Sequence, residues 1–83
     1  MLLHIGNETV IPKEQLVAVL SYEAAAASAT RSFLRAMRSN GRLTLLAEQG
    51  KERSIVITTE RIYITPISCQ ALRRRAESTL PEE

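Results

Sequence analysis

MLLHIGNETVIP, Met1 to Pro12, is the stretch on which the fold reading turns. Leu2 and His4, with Thr9 and Ile11, alternate with Leu3, Ile5 and Val10. Alternation of this kind is the mark of a strand with one buried face. Gly6-Asn7-Glu8 lies between the two runs and supplies residues that tolerate the positive φ of a tight turn. The segment predicts a β-hairpin, with no apolar leader before it, and so a cytoplasmic, unprocessed chain.

Working outward, the 83 residues make one small domain, taken as 1–79 with 80–83 as a tail. A chain of this length buries only about two thirds of its unfolded surface. Cys69 has no second cysteine to pair with, and one cysteine with His4 cannot build a structural zinc site. Yet 45% of the residues are apolar and only 4% aromatic, a large supply of Ile, Val, Leu and Ala for a small body. Part of that surface is expected to face another copy of the chain; the alternative is a self-sufficient monomer.

Downstream, Leu16 to Leu20 predicts a strand, helped by β-branched Val17 and Val19. A helix follows from about Ala25 to Ser39, with Ala26, Ala29, Thr30, Phe33 and Met37 on one side, and Asn40-Gly41 as its stop. Arg42 to Ala47 reads as a strand and Glu48 to Glu52 as a polar turn. Ser54–Thr58 and Arg61–Thr65 are two strands joined by Thr59-Glu60, and Pro66 ends the second. Ser68 is placed to cap a last helix, CQALRRRAES, whose Cys69, Leu72, Ala76 and Leu80 form an apolar stripe. The fold class is α+β: a small antiparallel sheet, a central helix and a C-terminal helix.

The residues do not describe an enzyme. The chain has no aspartate, and its nine acids are glutamates in polar or terminal settings. His4 has no catalytic partner in view, Cys69 sits on an apolar stripe, and Gly41 and Gly50 begin no phosphate loop. No cofactor, metal, membrane or small-molecule substrate is expected.

What remains is arginine, nine of the eleven basic residues. Its planar fork suits phosphate oxygens. Arg31, Arg35 and Arg38 are spaced four then three, with Arg42 beyond the cap, and form a row opposite the apolar stripe of the first helix. Lys51 and Arg53 form a second basic pair, and Arg73-Arg74-Arg75 a third cluster of which Arg74 and Arg75 face away from the stripe. Such a row also serves as a solvated face, as dipole compensation at a helix end, or as salt-bridge partners in an oligomer.

The chain resembles the RemA/RemB family of extracellular-matrix (biofilm) regulators, and its B branch more closely. The likeness runs over nearly the whole length, in MLLHIGNETVIP, Asn40-Gly41, RSIVIT from Arg53 to Thr58, and IYITPIS followed by ALRRRAE. The resemblance implies a DNA-binding transcriptional regulator of matrix genes, assembled as a homo-oligomeric ring that displays basic side chains to double-stranded DNA. Its DNA-contacting positions include consecutive arginines before the strand that here is SIVIT, where this chain has Gly50, Lys51, Glu52 and Arg53. A further arginine position corresponds to Gln15, with Lys13 close by. The expected DNA contacts are therefore Lys51, Arg53 and Lys13, with Arg31, Arg35 and Arg38 as a second set. Repetition around a ring would multiply weak phosphate contacts. A structural or adaptor ring is the alternative. Single-stranded RNA binding would need stacking aromatics, and only Tyr63 is on a strand.

Overall fold

The structure, a computed structural model, describes residues 1–78. Strands β1 (Leu2–Gly6) and β2 (Thr9–Pro12) form the expected hairpin. Gly6, Asn7 and Glu8 have φ of +126°, +50° and +62°, so the whole turn is left-handed. The register, however, shifts between His4 and Gly6, and Leu3 pairs with Ile11 while His4 pairs with Val10. That one-residue irregularity moves Ile11 onto the inward face with Leu3 and Ile5, and turns Val10 outward. The alternation expected across the turn is corrected accordingly.

The second sheet holds β3 (Leu16–Ser21), β4 (Leu43–Leu45), β5 (Ser54–Thr58) and β6 (Ile62–Thr65), in the order β3-β5-β6-β4. There are thus two sheets where the sequence reading had one. The larger is mixed: β5 is antiparallel to β3 and β6, but β4 runs parallel to β6. Helix α1 (Ser28–Ser39) reverses the chain between β3 and β4, so both strands run the same way, as β6 does. This parallel pairing is set by the crossover and not by any local signal.

Helix α1 begins three residues later than expected. Ser21 Oγ accepts from Glu23 N at 3.3 Å and starts a separate 3₁₀ turn over Tyr22–Ala26. Extended Ala27, ψ 138°, breaks the two apart. At its other end Gly41, φ +72°, closes α1. Arg42 N donates to Met37 O at 2.8 Å and Gly41 N to Arg38 O at 3.0 Å, the paired bonds of a Schellman cap. Helix α2 (Cys69–Ser78) starts as expected, with Ala71 N donating to Ser68 Oγ at 3.1 Å. Leu80, the last residue of the expected stripe, and the 80–83 tail lie outside the described residues.

Strand β5 is covered on both faces, which explains its unbroken SIVIT run. Val56 packs on one face with Leu3, Ile5, Ile11 and Leu72, under the hairpin and α2. Ile55 packs on the other with Ile62 and Ile64, beneath Leu34 and Met37 of α1. Helix α1 therefore presents Leu34 and Met37 inward, while Phe33 is 41% exposed and Ala26 and Ala29 are exposed. Of the expected stripe, Met37 packs inward and Thr30 is half-buried, while Leu34 takes the place expected for Phe33.

A buried hydrogen bond links the two sheets. Thr65 Oγ1 donates to Ile5 O at 2.7 Å and accepts from Ile67 N at 3.2 Å. A Cβ on Gly6 would come within 2.6 Å of that hydroxyl, so Gly6 is required for space as well as for its φ.

Candidate nucleic-acid interface

The turn ahead of β5 is built on Gly50, whose φ of +89° lets the chain fold back before the strand. Lys51 N donates to Glu48 O at 2.9 Å, and Gly50 N donates to Glu52 Oε1 at 3.0 Å. Arg53 is held on both sides: its N donates to Thr65 O at 2.9 Å, and its carbonyl accepts from Tyr22 N at 3.0 Å. The backbone is thus fixed, while the Lys51 and Arg53 side chains are exposed. Neither makes a hydrogen bond or ion pair among the described residues. Two exposed, unpaired cations on a turn pinned by backbone hydrogen bonds are suited to phosphate oxygens.

Arg31, Arg35 and Arg38 are also exposed, and their side chains also lack partners among the described residues. They do not stand opposite the buried face of α1. They flank Leu34 and line a cleft of 580 Å³ together with Leu43 and Ile64. Gln49 and Glu52 line the same cleft, so the helix row and the turn before β5 meet at one side of the molecule. Sequence spacing gave the row but not this meeting, which depends on the β4–β5 connection passing beside α1.

Lys13 does not join them. Its Nζ donates to Ala76 O at 2.7 Å, on α2, which packs on the opposite face of the large sheet from α1. Gln15 is also remote, since its carbonyl accepts from Thr59 N at 2.9 Å, at the far end of β5 from Arg53. At ~3.4 Å per strand residue that separation is roughly 15–20 Å.

Other basic residues have structural partners. Arg61 Nη1 donates to Gly41 O at 3.3 Å and Thr44 Oγ1 at 3.1 Å, bracing β4 against β6. Arg75 Nη1 lies 2.9 Å from His4 Nδ1 and donates to His4 O at 3.2 Å. Arg75 is half-buried, and the exposed members of its cluster are Arg73 and Arg74, not Arg74 and Arg75 as the helical wheel implied. Cys69 Sγ accepts from Ser54 Oγ at 3.3 Å. Tyr63 is half-buried against the Leu3 and Val56 cluster, so it is not a free stacking platform. Among the described residues no group of three His, Cys, Asp or Glu side chains gathers as a metal site, and no helix is long and apolar enough to cross a membrane.

Comparison with known proteins identifies a family for the chain. The family profile described as extracellular matrix regulatory protein A-like matches residues 2–76. The chain is also similar to extracellular matrix regulatory protein B of Bacillus subtilis (strain 168), 26% identical over 77 residues, covering 93% of this chain and 91% of that protein.

Proposed function

From the premise that this chain belongs to the RemA-like family of extracellular matrix regulatory proteins, nearer its B branch, we propose that it is a DNA-binding transcriptional regulator acting as a homo-oligomeric ring. The observation that carries the DNA reading is the pair Lys51 and Arg53, exposed, unpartnered and mounted on a turn fixed by hydrogen bonds to β6 and to Tyr22. Arg31, Arg35 and Arg38 stand beside that turn and extend the positive surface. Lys13 is the weakest of the proposed contacts, because its ammonium already serves α2.

Such contacts are to phosphates and carry little base information. Specificity then comes from repeats in the DNA and from how readily the duplex bends. The assembly supplies the repetition. Its support is the apolar surface left uncovered: Leu2 is 61% exposed, Val10 50% and Val17 61%. Leu2 and Val10 share the outer face of the hairpin with His4, an apolar patch that a second copy would cover. The test is a mobility-shift titration on bent, repeat-containing promoter DNA at several salt concentrations, with the subunit number measured by light scattering. Binding that steepens as salt falls, by an assembly of several subunits, is expected. Failure to bind, or a 9.2 kDa monomer, would contradict the proposal.

A further inference from the structure

The cleft beside α1 is shaped for more than a phosphate backbone. Its 580 Å³ falls within the ~300–1,000 Å³ of small-molecule sites. Three guanidinium groups, Arg31, Arg35 and Arg38, border it, none of them ion-paired among the described residues, against a single lining carboxylate, Glu52. Like charges three and four residues apart on a helix repel one another, so the row is relieved by a bound anion. Next to the arginines the lining is apolar, with Leu43 and Ile64. Glu52, whose Oε1 accepts from Gly50 N, keeps Oε2 to accept from the N–H edge of a base. Cation, apolar surface and acceptor occur together in one cavity.

We propose that this cleft binds a free nucleotide, its phosphates on Arg31, Arg35 and Arg38, its base against Leu43 and Ile64, and its amino edge toward Glu52. The proposal goes beyond the DNA reading: it shares Arg31, Arg35 and Arg38 with the second set of DNA contacts but makes no use of the Lys51 and Arg53 side chains that carry that reading. The nucleotide is a ligand and not a substrate, since no nucleophile with an activating base lines the cavity. Inorganic phosphate would satisfy only the arginines, and a stacked base of duplex DNA cannot enter the cavity.

The test is isothermal titration calorimetry on the intact protein with ATP, GTP, CTP and UTP, and with inorganic triphosphate as the charge-matched control. At least one nucleotide should bind saturably, one per chain, and at least tenfold more tightly than triphosphate. Arg35→Gln with Arg38→Gln should weaken it tenfold or more. Lys51→Ala with Arg53→Ala should leave it within twofold, whether or not DNA binding is lost. Tyr22 lines the cleft and the chain has no tryptophan, so quenching of tyrosine fluorescence by the bound base gives a readout in the unmodified protein. The quenching should disappear in Tyr22→Phe. Absence of saturable binding by all four nucleotides would overturn the proposal. So would triphosphate binding as tightly as the nucleotides, or an equal loss from the Lys51 and Arg53 substitutions.

Discussion

Lys13 Nζ donates to the carbonyl of Ala76 at 2.7 Å, tying the turn after β2 to the last turn of α2. An ammonium at that end of a helix satisfies a carbonyl and opposes the negative end of the dipole. The bond also anchors α2, whose Leu72 is fully buried, to the hairpin it packs against.

Lys13→Met keeps most of the stem and removes the charge. The expected outcome is a stability loss of about 1 kcal/mol, read from the urea midpoint. DNA affinity per folded molecule should change little. A clear fall in affinity with an unchanged midpoint would make Lys13 a DNA contact instead.

Thr65→Val leaves the Ile5 carbonyl and the Ile67 amide without their buried partner and should cost about 1–3 kcal/mol. Gly6→Ala should cost more, because it adds both a clash with the Thr65 hydroxyl and a side chain at φ +126°. Paired chemical-denaturation curves give the order. If Gly6→Ala is the milder change, the hairpin turn is not held as described.

Much of this arrangement was legible in the residues. Gly6-Asn7-Glu8, Gly41 and Ser68 each mark a turn or cap by local chemistry, and each does that work in the structure. SIVIT and RIYIT announce strands by β-branched content alone. Two misses are local, the Ser21-capped turn that delays α1 and the irregularity between His4 and Gly6, and the rest are non-local. Parallel pairing of β4 depends on where α1 sends the chain, and the inward turn of Leu34 in place of Phe33 on how α1 meets Ile62 and Ile64. The Arg31, Arg35 and Arg38 row was visible as spacing, but its position against Glu52 was not, because the two lie on elements that only tertiary packing brings together.

The outer hairpin face is expected to be covered in the proposed assembly. Leu2→Glu with Val10→Glu places two charges on that face without touching the buried Leu3, Ile5 or Ile11. Light scattering after size exclusion should show smaller species than the unmodified chain, with circular dichroism unchanged. An assembly of the same size would place the subunit contact elsewhere.

The central claim is that the turn before β5 holds DNA phosphates, and the salt dependence of binding by Lys51→Ala with Arg53→Ala tests it most directly. Each phosphate contact contributes about 0.9 to the slope of log K against log salt. The proposed ring would repeat the contact, so the fall in slope should equal roughly two per subunit engaged, with affinity lowered on every sequence and the assembly intact. An unchanged slope and affinity would contradict the account, and dissociation into monomers would identify Lys51 and Arg53 as subunit contacts.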